Sequence, residues 1–269
     1  MITFTNFYEW FFQEKDRPAA GLFSFGHLFS VTLCLAIFLT GAYFLAKLFR
    51  GNEKKQNLVL LISGIAIIVL EIIKIVYCCV GTNNLADAIL GNWPLYFCDI
   101  PIYVVLVSAL SKGRVKDCCL DFLAICGLLM GFMGNYFAGN IYGSHAAFSF
   151  LALNSLLNHS LSAFVSLFIW VSKLNKMEKR NIPFVIGILF TFMTIALILD
   201  YCFHKNFMFF FFGDGTPFTL FFDLVRGNLI LYQMIIYILQ CGYIGLFYVA
   251  YYAIIKQYKK KYPQEAVSN

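Results

Sequence analysis

Residues 57–79 read NLVLLISGIAIIVLEIIKIVYCC, a run in which only Glu71 and Lys74 are charged. An α-helix rises about 1.5 Å per residue, so about 20 apolar residues are needed to cross the roughly 30 Å of hydrocarbon in a bilayer. A stretch this long and this apolar predicts a transmembrane helix. Charged side chains are energetically costly in hydrocarbon, so the two within this helix are candidates for a functional site.

The rest of the chain repeats this pattern. Apolar residues make up 61% of the 269 positions and charged residues 13%, whereas about a quarter of a typical soluble protein is charged. The composition therefore predicts an all-α, polytopic membrane helix bundle with seven transmembrane helices and no room for a soluble domain. The third predicted segment is the shortest. The seven segments are 22–46, 57–79, 95–111, 118–138, 147–172, 182–204 and 228–255.

The basic residues of the connections predict the orientation, because short cytoplasmic loops are enriched in Lys and Arg. The first, third and fifth connections and the C-terminal tail carry 4, 3, 4 and 4 basic residues. The N-terminal segment and the second, fourth and sixth connections carry 2, 0, 0 and 2. We therefore expect the N-terminus outside the cytoplasm and the C-terminus inside, in the cell membrane. The predicted regions are an extracytoplasmic segment 1–21, a membrane domain 22–257 and a basic cytoplasmic tail 258–269.

Several classes of function are disfavoured by the sequence. The net charge of +6 does not indicate nucleic-acid binding, because the basic residues sit in short blocks between apolar segments. The nine cysteines include no C-x-x-C pair, and no nucleotide-binding glycine loop, metal-ligand cluster, haem signature or removable signal peptide is visible. We expect no cofactor, no metal and no nucleic-acid partner; membrane lipids, with a lipid or small-molecule ligand, are the expected partners. The sequence carries no signal for an oligomeric state.

Polar residues within the segments fall mostly in the halves predicted to face outward, and the cytoplasmic halves of most helices look nearly dry. Intramembrane ionisable groups usually face a partner or a wet cavity, so this distribution predicts a polar site in the outer half of the bilayer. Alternatively, Glu71 and Lys74 only neutralise each other, and Arg226 only snorkels rather than binding a phosphate. The candidate substrate-binding residues are His27, Glu71, Lys74, Asp99, Asn135, Asn154, Arg226 and Gln233.

Two residues are candidates for catalysis. Cys98 follows Trp93-Pro94 at the start of the third segment, where free N–H groups of a first helical turn favour a thiolate nucleophile. His159 lies on a polar stripe with Ser155, and a neutral imidazole is a common general base. The competing interpretations are a cysteine packed as a small hydrophobe and a histidine that only hydrogen-bonds between helices.

Several short motifs carry a family resemblance. They are Leu70–Lys74, Trp93–Ile100, Tyr136–Gly139, Asn158-His159 and His27 at the start of the first segment. In order and spacing, over most of the chain, these motifs resemble the bacterial YwaF family of integral membrane proteins. This resemblance implies a multi-pass membrane fold.

A eukaryotic branch of the same superfamily resembles a membrane acyltransferase that acts on ether phospholipids. The resemblance implies a cysteine nucleophile at the mouth of the third helix and a histidine deeper in the bundle, which suggests Cys98 and His159. One position departs from that pattern: the cysteine of that branch directly follows the proline, where this chain has Leu95, and Cys98 lies three residues further on. Three residues are about one helical turn.

Three functions remain open from the sequence. The first is a membrane-embedded lipid-modifying enzyme that transfers or hydrolyses an acyl group, with its site in the outer leaflet. The second is a non-catalytic transporter, uptake subunit or receptor that binds a small ligand in the same outward-facing cavity. The third is an assembly factor whose polar residues only hold helices together.

Overall fold

The computed structural model describes residues 4–80 and 82–261. Across these residues the chain forms eleven α-helices and no β-strand, which confirms the all-α prediction. The helices are α1 Phe4–Phe11, α2 Phe25–Leu48, α3 Glu53–Cys79, α4 Leu85–Gly91, α5 Ile100–Leu110, α6 Gly113–Tyr136, α7 Gly139–Tyr142, α8 Phe150–Ser172, α9 Ile182–Phe203, α10 Phe218–Leu224 and α11 Leu229–Lys261.

Six of these helices are long and apolar enough to cross a bilayer, namely α2, α3, α6, α8, α9 and α11. The chain is therefore a multi-pass membrane protein. The third predicted segment is helical but shorter, since a 3-10 turn at Phe97–Asp99 leads into α5 and the pair ends at Leu110. Fourteen residues span about 21 Å at 1.5 Å each. The count of seven spanning helices and the orientation stay predictions.

The short helices all lie in the connections predicted to be outside. They are α1 in the N-terminal segment, α4 in the second connection, α7 in the fourth and α10 in the sixth. The connections predicted to be cytoplasmic hold no helix of this kind among the described residues, although a 3-10 turn at Lys179–Asn181 precedes α9. The two ends of the bundle are thus built differently, with the larger structures at the end where the polar site was expected.

Helix α6 lies at the centre of the bundle and packs most closely against α8. Glycines allow this approach: a Cβ on Gly127 would lie 2.8 Å from the Ser162 carbonyl oxygen, and one on Gly131 would lie 2.8 Å from that of His159. Small residues let helix backbones meet closely in membranes, where van der Waals packing rather than the hydrophobic effect holds helices together. This contact fixes the position of α8 and of the polar residues it carries.

The N-terminal segment packs on the end of the bundle where α3 ends and α8 begins. The Tyr77 hydroxyl of α3 donates a hydrogen bond to the Phe12 carbonyl, and the Glu14 carboxylate binds His145 Nδ1 at 2.7 Å and Ala146 N at 2.6 Å. At the other terminus, α11 continues to Lys261, so the predicted tail begins as helix. Residues 262–269 of that tail and 1–3 of the N-terminal segment lie outside the described residues.

The phenylalanine-rich part of the sixth connection is folded inward at its start. Phe207, Met208 and Phe210 are buried, and the Asp200 carboxylate accepts a hydrogen bond of 2.6 Å from Phe207 N. The rings of Phe207 and Phe209 contact Tyr96, just before the Cys98 turn. The first part of this connection therefore supports the turn at the start of α5.

Candidate functional site

Glu71 is the centre of the polar residues in the half of the bundle that is predicted to face outward. It lies on the inner face of α3 and is only 4% exposed. Its carboxylate accepts a hydrogen bond of 2.6 Å from Asn158 Nδ2 on α8 and forms an ion pair of 2.5 Å with Lys74. Asn154, one turn away on α8, donates a 2.9 Å bond to the Leu70 carbonyl of α3. A buried charge needs such partners, and these contacts stabilise the Glu71 carboxylate within the bundle.

Lys74 connects this carboxylate to the start of α5. Its ammonium group interacts electrostatically with both Asp99 and Cys98 as well as with Glu71. Asp99 accepts a 3.1 Å hydrogen bond from Tyr96 N, which closes the 3-10 turn, and lies 3.9 Å from the Cys98 sulfur, which donates to it. We call Glu71, Lys74, Cys98, Asp99, Asn154 and Asn158 the central polar cluster.

This cluster brings together five of the ten residues predicted for the site: Glu71, Lys74, Cys98, Asp99 and Asn154. Asn158 was not among the predicted site residues, although its place on the same polar helix as Asn154 was the signal that could have found it. An amide one turn from another amide shares its helix face, and the two side chains are in contact here at 3.4 Å.

His159 follows Asn158 but faces α6. Its Nδ1 lies 2.7 Å from the Ser155 carbonyl oxygen, which can only accept, so Nδ1 carries the proton. In the neutral ring Nε2 then has a free lone pair, and it lies against Gly134 of α6, where a Cβ would come within 2.2 Å of it. Lys74 interacts electrostatically with both His159 and Cys98. Within the described chain no hydrogen bond joins Cys98 to His159, and their action as nucleophile and base stays a prediction.

His27 and Asn135 form a second group that joins α2, α6 and α8. His27 Nδ1 accepts a 3.0 Å bond from Phe23 N, so Nε2 carries the proton and donates to the Asn135 carbonyl at 2.9 Å. The Asn135 amide donates to Ser160 Oγ at 3.2 Å, and the His27 ring packs 4.0 Å from that of Tyr142. Nδ1 of His27 is thus used in the turn that leads into α2, and Nε2 is used between α2 and α6, which describes a structural role.

Arg226 and Gln233 lie near the start of α11. Arg226 is exposed in the turn between α10 and α11, with a φ of 53°. Gln233 is buried and exchanges hydrogen bonds with the Tyr201 hydroxyl of α9, the shorter at 3.2 Å. In the part of the chain described, neither residue has a hydrogen bond or ion pair to the central polar cluster.

A buried network at the opposite end of the bundle was missed by the sequence analysis. Asp121 of α6 is fully buried and accepts bonds from Met177 N at 2.9 Å, Asn181 Nδ2 at 2.8 Å and the Tyr248 hydroxyl at 3.3 Å. Asp121 lies in the half of α6 that was predicted to be cytoplasmic, and it is an exception to the expectation that these halves of most helices are nearly dry. Because every partner belongs to the loop before α9 or to α11, the network reads as a structural clamp.

A groove of about 350 Å³ lies between α3 and α5 on the membrane-facing surface. Its lining residues are aliphatic or aromatic except for Glu71, and Ile72 and Val107 on its walls are 55% and 45% exposed. In a membrane protein such apolar exposure faces lipid chains. The residues that line it are Ile68, Glu71, Ile72, Ile75, Trp93, Pro94, Ile102, Tyr103, Leu106 and Val107.

The comparisons with known proteins give the family. A family model described as the TMEM164 family matches residues 22–252. The chain belongs to the TMEM164 family. This membership supports a membrane family of the type that the resemblance implied, whereas the YwaF name is not confirmed. No curated protein and no solved structure matches the chain significantly.

The chemistry available at this site in a TMEM164-family chain is that of a thiol, two carboxylates and an ammonium group beside a hydrocarbon-facing groove. Among the described residues, no three His, Cys, Asp or Glu side chains are grouped to hold a metal ion. Cys98 is the thiol of the central polar cluster, and the Lys74 ammonium group interacts with it electrostatically. Such a set can form and stabilise an anion during attack on a carbonyl.

Proposed function

We propose that this chain is a membrane-embedded lipid-modifying enzyme that carries out acyl transfer or acyl hydrolysis, with its site in the outer half of the bilayer. The observation that carries the proposal is Glu71, which belongs both to the lining of the groove between α3 and α5 and to the central polar cluster that holds Cys98. A lipid chain in that groove reaches a nucleophile without leaving the membrane. Membrane-facing access of this kind suits a phospholipid better than a water-soluble ligand.

The proposed reaction starts with transfer of the Cys98 thiol proton to Nε2 of His159, directly or through a water molecule. The thiolate attacks the ester carbonyl carbon of a phospholipid, and the carbonyl oxygen becomes negatively charged. When that intermediate collapses, the ester C–O bond breaks, the acyl group stays on Cys98 as a thioester, and the lysophospholipid oxygen takes the proton from His159. An acceptor hydroxyl or water then attacks the thioester carbonyl and gives its proton to His159. The C–S bond breaks, the acylated acceptor or the free fatty acid leaves, and the Cys98 thiolate takes the proton back from His159.

The other residues of the cluster have positioning and electrostatic roles in this scheme. The Lys74 ammonium group stabilises the negative charge that develops near Cys98, and preorganised charge of this kind is usually the largest contribution to catalysis. Glu71 and Asn158 hold Lys74 in place through the 2.5 Å ion pair and the 2.6 Å hydrogen bond. Arg226, exposed in the turn before α11, is available to a head-group phosphate.

The direct test is detection of the acyl thioester. Purified protein in nanodiscs is incubated with phosphatidylcholine that carries a labelled acyl chain, quenched in acid and measured by intact mass spectrometry. We expect a hydroxylamine-sensitive acyl adduct that disappears in Cys98→Ala and persists in Cys202→Ala, a matched change at an exposed cysteine. An adduct on another cysteine would overturn the role of Cys98. Neither adduct nor lipid turnover with the wild-type chain would leave the transporter or receptor interpretation.

A further inference from the structure

The groove between α3 and α5 is closed at one end by a close contact between the two helices. Gly64 lies one turn before Ile68 on α3, and a Cβ added at Gly64 would be 2.7 Å from Leu106 Cδ2 and 3.2 Å from Val105 Cγ1. Leu106 also lines the groove. The absence of a side chain at Gly64 therefore lets Leu106 lie against α3, where it forms the inner wall of the groove.

The other end of the groove is formed by the residues that lead to Cys98. Trp93 and Pro94 line it there, and the Tyr103 hydroxyl donates a 3.0 Å hydrogen bond to the Pro94 carbonyl, which ties that turn to α5. Cys98 follows Pro94 by four residues. Along α3, the distance from Gly64 to Ile75 is about 16 Å at 1.5 Å per residue. A chain lying in the groove thus runs from Trp93 and Pro94, a few residues before Cys98, to the wall at Leu106.

We infer that this groove binds one acyl chain of a membrane lipid, and that Leu106, seated in the space left by Gly64, sets the length of the chain that fits. The occupant follows from the lining, which is apolar and faces the hydrocarbon, while the Glu71 carboxylate is engaged by Asn158 and Lys74. Lipid tails are as apolar as the groove, so occupancy brings no hydrophobic gain. A preference for one acyl-chain length therefore arises from van der Waals fit, and the position of the wall at Leu106 determines that length.

This inference rests on the proposed function for its effect on acyl transfer, but the binding itself does not need the chemistry. The binding test therefore uses a Cys98→Ala background in nanodiscs doped with photoactivatable phospholipids of short, medium and long acyl chains. After irradiation, crosslinked peptides are identified by mass spectrometry. We expect crosslinks on α3 and α5 with a preferred chain length.

Two opposite changes move the wall. Leu106→Ala removes it, and the preferred chain becomes longer; Gly64→Ala pushes Leu106 into the groove, and the preferred chain becomes shorter. The ratio of long-chain to short-chain crosslinking should change about three-fold in each direction, as expected for a few lost or gained carbon contacts. Ile68→Phe, which narrows the same end without a change at Gly64, should also favour shorter chains. The control is Val69→Ala, a membrane-facing residue of α3 outside the groove.

The outcomes separate the two proposals. Crosslinks that map to other helices, or a chain preference that is the same in all three wall variants, would overturn the inference. If the preferred acyl-chain length shifts in the wall variants while the wild-type protein forms no acyl adduct, the groove inference stands and the enzyme proposal fails. If the adduct on Cys98 forms with a chain-length preference that Leu106→Ala and Ile68→Phe leave unchanged, the enzyme proposal stands and the inference fails.

Discussion

Asn158 on α8 donates a hydrogen bond of 2.6 Å to the Glu71 carboxylate on α3, and Glu71 holds Lys74 at 2.5 Å through the same carboxylate. The bond therefore connects the helix that carries His159 to the helix that lines the groove. It also supplies the one hydrogen-bond donor from another helix that Glu71 has in the described chain. Substitution of Asn158 therefore removes a hydrogen bond from a buried charged group.

We predict that Asn158→Leu destabilises the fold by about 1.5–3 kcal/mol, because it removes a hydrogen bond to a buried charged group. Glu71→Gln keeps an amide oxygen that accepts from Asn158 but removes the ion pair with Lys74, so we expect it to destabilise the fold as well. The measurement is thermal unfolding of the purified protein in detergent, with Thr194→Val on α9 as the control for loss of one polar atom. Equal unfolding of Asn158→Leu and Thr194→Val would show that the bond does not stabilise Glu71.

Asp121 gives a second stability prediction at the other end of the bundle. Asp121→Ala leaves the donors Met177 N, Asn181 Nδ2 and the Tyr248 hydroxyl without their acceptor, so we expect a loss of about 3 kcal/mol or more. Lipid turnover per folded molecule should not change, because none of these residues belongs to the central polar cluster.

The matched control is Asp117→Ala, one turn earlier on α6. Asp117 forms a 3.0 Å ion pair with Lys176, whose side chain is 56% exposed, and this contact raises the pKa of Lys176 above its ordinary value. The Asp117 side chain is 13% exposed, but its partner is in solvent, so we expect the pair to contribute about 0–1 kcal/mol. A cost at Asp117 as large as that at Asp121 would contradict the assignment of the clamp to Asp121.

The sequence was sufficient for the helices and for part of the site. Long apolar runs predict helices because the backbone must satisfy its own hydrogen bonds in lipid, and the Glu71–Lys74 pair follows from helical spacing. The motif before Asp99 placed Cys98 at the start of α5. These are local relationships, each within one helix or one turn, which is why a pattern in the chain could predict them.

Contacts between helices could not be predicted in the same way. His27 bonds to Asn135, and Gln233 to Tyr201, because α2 lies beside α6 and α9 beside α11. Which helices are neighbours depends on packing, for example at the glycine face of α6. The pattern of apolar and polar residues along the chain does not encode these neighbours. Asp121 was missed for the same reason, since its partners come from a distant loop and from α11.

The predicted orientation is tested by introduced cysteines. Asn83→Cys lies in the second connection and Lys54→Cys in the first, and both positions are exposed. With the N-terminus outside, a thiol reagent that cannot cross membranes should label intact cells expressing Asn83→Cys more than cells with the parent chain, whereas Lys54→Cys should add labelling only after permeabilisation. The reverse result would place the basic connections outside and invert the topology.

The contact between Gly134 and His159 allows the role of His159 to be tested without changing it. A Cβ at Gly134 would lie 2.0 Å from Cδ2 and 2.2 Å from Nε2 of His159, so Gly134→Ala must displace the imidazole ring. If Nε2 is the general base of the proposed reaction, this change should lower acyl transfer by about 10²-fold or more, as loss of a general base does. The measurement is the rate of transfer of a labelled acyl chain in nanodiscs.

The decisive comparison is with the double variant, because residues that act through one group are not additive. Gly134→Ala combined with His159→Ala should be no slower than His159→Ala alone, since the ring that Gly134→Ala displaces is already absent. Gly187→Ala, where a Cβ meets nothing within 4 Å, controls for a glycine change in a membrane helix and should keep full activity. If the fold decrease in acyl transfer of the double variant equals the product of the two single decreases, Gly134→Ala acts on helix packing and not on His159.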